Sequence, residues 1–144
     1  MVLSYHYKVI ERPEPLSPER TPSIPVTLAN SKGENAIDVV ALIDSGSDTC
    51  AIPRAFAEIL DLDLSAKPEP CGGINGDVEA IPSKMRVKFE KGDEKYQFIV
   101  PVNVIKTDYE FGILIGRAGI FNRFSITFDE AKWKIRLKRN QRIL

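Results

Sequence analysis

Apolar and polar residues alternate with a period of two along much of this chain, which is the signature of half-buried strands. Ile24, Val26 and Leu28 alternate with polar or small neighbours from Ser23 onward. The cluster Asn30-Ser31-Lys32-Gly33-Glu34-Asn35 then predicts a turn, and the β-branched run Ala36 to Ile43 predicts a buried strand. Together they read as a hairpin. A second hairpin is expected where Met85, Val87 and Phe89 alternate with Lys84, Arg86, Lys88 and Glu90. There the chain turns at Lys91-Gly92-Asp93-Glu94 and returns with Tyr96, Phe98, Val100, Val102 and Val104 on one face. Glu110 to Gly116 predicts another buried strand, and residues 125–138 a closing hairpin around Asp129-Glu130-Ala131-Lys132. Near the start, Tyr5, Tyr7 and Val9 alternate against His6 and Lys8, a further short strand. Helical spacing is confined to Pro53–Leu62, through Phe56, Ile59 and Leu60, with a second short helix expected over Ala118 to Phe124. Many short strands with one or two short helices describe a mostly-β barrel or sandwich.

Five prolines, at 13, 15, 18, 22 and 25, remove backbone donors and favour extended chain. Residues 1–22 therefore read as an N-terminal proline-rich arm and residues 23–144 as one folded domain. A chain of 144 residues can bury a sufficient core without disulfides or metal. Lys+Arg and Asp+Glu are each 20, so a nucleic-acid partner is not expected. No apolar run approaches membrane-spanning length, and Met1 to Ile10 lacks the pattern of a secretory signal, so a cytoplasmic location is expected. Two cysteines, Cys50 and Cys71, and the single His6 are too few for an ordinary zinc site, and no cofactor is expected. His6 reads as a surface or edge-strand residue. Chemistry in this chain must then rest mainly on carboxylates.

One carboxylate has a distinctive setting. Val40-Ala41-Leu42-Ile43 runs without a break into Asp44-Ser45-Gly46-Ser47-Asp48-Thr49. A carboxylate at the end of a buried strand is held rigidly, and an adjacent glycine lets a substrate backbone come close. Alone, Asp-Ser-Gly is an ordinary turn sequence. It gains meaning from a second apolar strand ending in Ile113-Leu114-Ile115-Gly116-Arg117, and from the glycine-dense segment Cys71-Gly72-Gly73-Ile74-Asn75-Gly76-Asp77 lying between the two. In order and spacing, these elements resemble the retroviral-type (retropepsin-like) aspartic proteases, in their cellular and prokaryotic branch, over roughly Ser23 to Phe128.

The resemblance implies a closed acid-protease barrel acting as a homodimeric endopeptidase. Such chemistry needs two carboxylates sharing one proton. This chain carries one Asp-Ser-Gly, so Asp44 of a second copy must supply the other acid. By the same resemblance, Ser45 and Gly46 support the catalytic loop. Gly46, Asp48, Gly73, Ile74 and Gly76 would bind an extended polypeptide, with residues 72–80 as the flap. Asp48 and Arg117 would form a structural ion pair. Ser45 stands where viral enzymes usually have threonine, the flap lacks the viral glycine pattern, and both chain extensions lie outside the match. The alternative function is a non-catalytic dimerisation or peptide-binding module of the same fold, against which an acid retained at position 44 argues. The basic segment Lys132, Lys134, Arg136, Lys138, Arg139 and Arg142 interleaves with Trp133, Ile135 and Leu137 at period two, so its cations are expected on a solvated strand face rather than on nucleic acid. Cys50 reads as a small buried apolar residue, and Cys71 as the more exposed thiol.

Overall fold

The computed structural model describes residues 2–73, 76–106 and 112–140. Twelve strands and one helix follow in order: β1 (Val2–His6), β2 (Lys8–Ile10), β3 (Glu19–Thr21), β4 (Ser23–Ala29), β5 (Ile37–Ile43), β6 (Cys50–Pro53), α1 (Arg54–Leu60), β7 (Glu69–Gly73), β8 (Gly76–Lys91), β9 (Glu94–Ile105), β10 (Ile113–Ile115), β11 (Phe124–Asp129) and β12 (Lys134–Arg139). The architecture is mostly β, as the alternation predicts.

Six strands close a barrel. Their order is β4-β5-β10-β6-β9-β8, and β8 returns to pair with β4 through Thr27↔Lys88, Leu28↔Val87 and Ala29↔Arg86. Closure leaves the barrel without a free edge. β8 is long because, besides closing on β4, it serves two further partners. Its first residues pair with β7, from Gly73↔Gly76 to Glu69↔Ala80, and the rest pairs with β9 as far as Lys91↔Glu94. The β7–β8 hairpin therefore projects from the barrel as an extension of the sheet. Outside the barrel, β1, β12 and β11 form a three-stranded antiparallel sheet, and β2 pairs with β3 in the proline-rich segment.

The main core lies inside the barrel and beneath the three-stranded sheet. Leu3, Tyr5 and Tyr7 belong to it, so the first strand is packed against the domain. Phe124 joins the two sheets: its ring stands edge-on to Phe89, Tyr96 and Phe98 at centroid distances of 5.5, 5.6 and 5.8 Å. Edge-to-face pairs of this kind add to the stabilisation from burial alone. On β12, Ile135 and Leu137 are fully buried, whereas Lys134, Arg136 and Lys138 point outward and line a strand face; Lys132 lies in the preceding turn, and Arg139 instead holds its guanidinium 5.4 Å from the Phe98 ring centroid. Arg142 of the basic segment lies outside the described residues. His6 is exposed on β1, an edge strand.

Three local expectations differ. Of the residues expected to be helical, 118–123 form consecutive turns, bonded Ile120 N–H to Arg117 O and Phe124 N–H to Ile120 O, and Phe124 already begins β11. Gly119 explains this: it has φ +80°, and a Cβ there would lie 2.9 Å from Val100 Cγ1, so the chain turns left-handed against the barrel wall. Helix α1 is shorter than expected. Pro53 precedes it in extended conformation, and Asp61, at φ 57°, ends it. Its buried residues are Ala57 and Leu60, while Ile59 is 57% exposed and not part of the core. The strand expected over 110–116 is β10, three residues long, and Glu110 and Phe111 lie outside the described residues.

Candidate active site

Asp44 follows the last residue of β5. Strand β10 runs parallel to β5 in the register Ile113↔Ala41, Leu114↔Leu42 and Ile115↔Ile43, and it also pairs with β6 on its other side. Thus β10 is inserted between two strands that are neighbours in sequence, and the 44–49 loop must arch over its end. The ladder continues one residue past β5, where Asp44 N–H donates to Ile115 O at 2.9 Å. The acid's backbone is therefore fixed by the sheet, and its side chain is half-buried at the sheet's end.

The loop is then strapped down. Gly46 N–H donates to Asp44 Oδ1 at 2.9 Å, and Ser47 N–H reaches Asp44 O at 3.3 Å. Ser47 Oγ donates to Thr49 O at 2.6 Å. On the far side, Arg117 N–H donates to Ser47 O at 2.9 Å and Ala118 N–H to Asp48 O at 2.8 Å. The Arg117 guanidinium also donates to the Asp48 carboxylate, so the expected ion pair is present. Both side chains are largely exposed, which limits the pair to about 1 kcal/mol or less. Two backbone bonds, rather than this ion pair, do most to join the two motifs.

Gly116 permits the joining. A Cβ placed there would lie 2.1 Å from Thr49 O and 2.8 Å from Ser47 O, so only glycine lets the two segments touch. The Gly116 N–H also faces the Cys50 thiol. Burial pushes that thiol up to about 11, the Gly116 hydrogen bond offsetting part of the rise. Cys50 is fully buried, as expected of a small apolar residue at this position.

Strand β7 reaches the site through Cys71. Cys71 and Leu114 are half-buried against the small apolar cluster Ala51, Ala80 and Ile105, which is separate from the main core. Asn103, on β9, donates from Nδ2 to Thr49 Oγ1 at 2.9 Å and lies 3.9 Å from Cys71 Sγ. It ties the end of the Asp44 loop to the base of the hairpin. The sequence offers no motif for Asn103. It falls on the face of β9 opposite Val100, Val102 and Val104, where a polar residue breaks no pattern.

The candidate residues are thus brought together in part. Asp44, Ser45, Gly46, Asp48 and Arg117 share one loop system, with Ser45 and Gly46 exposed. Gly76 begins β8 at φ +104° across from Gly73, at the outer end of the β7–β8 hairpin. Ile74 lies outside the described residues. A groove of about 810 Å³ lies elsewhere, between Asn30, Lys32, Asp63, Ser83 and Pro101, and none of the candidate residues lines it. Among the described residues, no group of three or more His, Cys, Asp or Glu could hold a metal ion, and no helix is long and apolar enough to cross a membrane.

No family model matches the sequence, and no curated protein matches it significantly. Solved structures do. A retropepsin-like aspartic protease from Rickettsia conorii is 18% identical, with a TM-score of 0.57 over 95% of this chain and 91% of that one. EIAV protease complexed with the inhibitor HBY-793 is 22% identical, covering 69% of this chain and 84% of that one with a TM-score of 0.48. The closed barrel, the strand inserted between β5 and β6, and the match along nearly the whole Rickettsia chain establish that this protein has the retropepsin-like fold.

Proposed function

We propose that the protein is an aspartic endopeptidase whose catalytic centre forms between two copies of the chain. The observation that carries this reading is the placement of Asp44. Its backbone is locked to β10, its loop is braced by Gly116 and Arg117, and its carboxylate stands at the end of the sheet. An acid needed only for a turn requires none of this bracing.

Each subunit brings one such acid, and the barrel has no second Asp-Ser-Gly to pair with it. In the dimer, the two Asp44 carboxyls face each other across the twofold axis and hold one proton between them. The ionised member takes a proton from a water. The protonated member donates to the carbonyl oxygen of the scissile bond as the water attacks. The two acids titrate as a unit. Ser45 braces the neighbouring loop across the axis. Gly46 offers its backbone to an extended peptide, and Asp48, held by Arg117, binds the peptide's backbone further out. The β7–β8 hairpin acts as the flap, with residues 72–80 closing over the substrate and excluding water. Peptide binds as an added strand, its backbone giving affinity and its side chains selectivity.

The test is cleavage of an unstructured protein such as casein between pH 4 and 7 by wild type and by Asp44→Asn. The wild type should cleave and the variant should not, while both sediment as dimers. Equal cleavage by Asp44→Asn would remove Asp44 from the chemistry. A folded wild-type dimer that cleaves nothing would favour a peptide-binding module instead.

A further inference from the structure

The outer face of the sheet beside Asp44 is apolar at one end and polar at the other. Residues paired across neighbouring strands point to the same face. The registers Leu42↔Leu114, Leu114↔Ala51 and Ala51↔Asn103 therefore set four side chains in one row, running from β5 through β10 and β6 to β9. Their neighbours along the strands, Ile113, Ile115, Cys50, Ile52, Val102 and Val104, fill the barrel core, so the row lies outside it. Ala51 is its low point, with the larger Leu114 on one side and Asn103 on the other. Cys71 of β7 closes the row on the hairpin side: it packs against the small cluster that contains Ala51, and its Sγ lies 3.9 Å from Asn103 Nδ2. The row is a shelf between the Asp44 loop and the β7–β8 hairpin.

The polar end of the shelf is held in place before any ligand arrives. Ser47 Oγ donates to Thr49 O at 2.6 Å, and Asn103 Nδ2 donates to Thr49 Oγ1 at 2.9 Å. Because Thr49 Oγ1 accepts that bond, its own hydrogen is left to donate. Asn103 Oδ1 is left to accept, and neither group has a further partner among the described residues. The pair, both residues half-buried, thus offers one donor and one acceptor and no charge. A hydroxyl or carboxamide side chain can satisfy both. An aliphatic side chain laid there takes water from both and returns no bond, which costs more than a bond gains. Only β10 separates the end of β5 from the start of β6, so Thr49 stands about 10 Å from Asp44, a span that an extended peptide covers in about three residues.

We infer that Asn103, acting with Thr49, determines specificity: it selects peptides that carry a small hydroxyl or carboxamide side chain, such as threonine, serine or asparagine, within about three residues of the scissile bond. The side chain rests on Ala51, between Leu114 and Asn103, and Cys71 limits its size. Each subunit of a twofold dimer supplies one shelf, so the selection falls at equivalent positions on both sides of the bond. The inference rests on the peptidase reading above and names the class of sequence that the enzyme cuts.

The experiment uses the full chain and a randomised peptide library, with the cut sites read by mass spectrometry. Wild type should enrich threonine, serine or asparagine over valine and leucine at one position on each side of the bond. Two peptides that differ only by threonine or valine at that position then give a ratio of kcat/KM, expected to be about tenfold in favour of threonine. Asn103→Leu should bring the ratio to one or below, chiefly by raising kcat/KM for the valine peptide. If Asn103 only bolts Thr49 in place, the variant slows both peptides alike and the tenfold ratio persists, which overturns the assignment. Asn103→Ala removes the amide without adding bulk and answers the same question if the leucine variant does not fold. A wild type that cuts the library with aliphatic residues preferred at these positions, or with no preference, overturns the selectivity and leaves the peptidase reading intact. A folded dimer that cuts no member of the library overturns both.

Discussion

Gly116→Ala is the substitution for which the structure makes the sharpest demand. Adding one methyl group places a carbon 2.1 Å from Thr49 O, 2.4 Å from Thr49 C and 2.8 Å from Ser47 O. All three are backbone atoms of the Asp44 loop, so no side chain can swing aside. The loop and β10 must separate by about an ångström, since carbon and oxygen normally stay beyond ~3 Å. Separation breaks the Arg117–Ser47 and Ala118–Asp48 backbone bonds, at about 1 kcal/mol each. Residual crowding adds roughly 1–3 kcal/mol, for a total of about 3–5 kcal/mol. In a chain of this size that lowers Tm by about 10 °C. Thermal unfolding by circular dichroism measures it directly. Gly112→Ala is the control, because nothing lies within 4 Å of a Cβ at that exposed position. A Gly116→Ala protein melting within about 1 °C of wild type would refute the claim that this contact braces the site.

Two further predictions concern other groups. Tyr7 is buried beneath Trp133 and donates to Glu130 Oε1 at 2.8 Å, and burial, with help from the Glu130 bond, pushes its phenol up to about 12. The folded state therefore keeps a proton that the unfolded chain loses above pH ~10, so stability should fall by up to about 2 kcal/mol as pH climbs from 10 to 12. Urea unfolding across that range should show the fall in wild type and a flatter profile in Tyr7→Phe. A wild type as flat as the variant would contradict it. Cys50, fully buried with its thiol pushed up to about 11, should resist alkylation in the native protein at pH 8, while the half-buried Cys71 is labelled first. Peptide mass mapping after brief iodoacetamide treatment checks the order, and equal labelling would contradict it.

The period-two pattern was sufficient for the hairpins because one face of each strand is buried and a slip of one residue would expose it. It could not reveal closure of the barrel, which depends on β8 returning to β4 across some sixty residues of chain. Helical spacing misled at both ends of its range. Phe56, Ile59 and Leu60 suggested a stripe, but the helix buries Ala57 instead of Ile59, since a small residue suits close approach to the barrel. At 118–123 the turn is dictated by Gly119 fitting against Val100, a tertiary contact invisible in local spacing. The site was legible where a motif carries chemistry, at Asp44-Ser45-Gly46 and at Gly116-Arg117. The bond from Asn103 to Thr49 was not, because a lone polar residue on a strand has no spacing to give it away.

A subunit-mixing titration bears most directly on the central idea. Wild-type chains are combined with increasing amounts of Asp44→Asn chains, allowed to exchange, and assayed for peptide cleavage at fixed total protein. If every centre needs an intact acid from each copy, activity follows the square of the wild-type fraction, so an equal mixture retains about a quarter of full activity. Activity that instead falls in simple proportion, leaving one half, would mean that a single Asp44 suffices and that the two-chain centre does not exist.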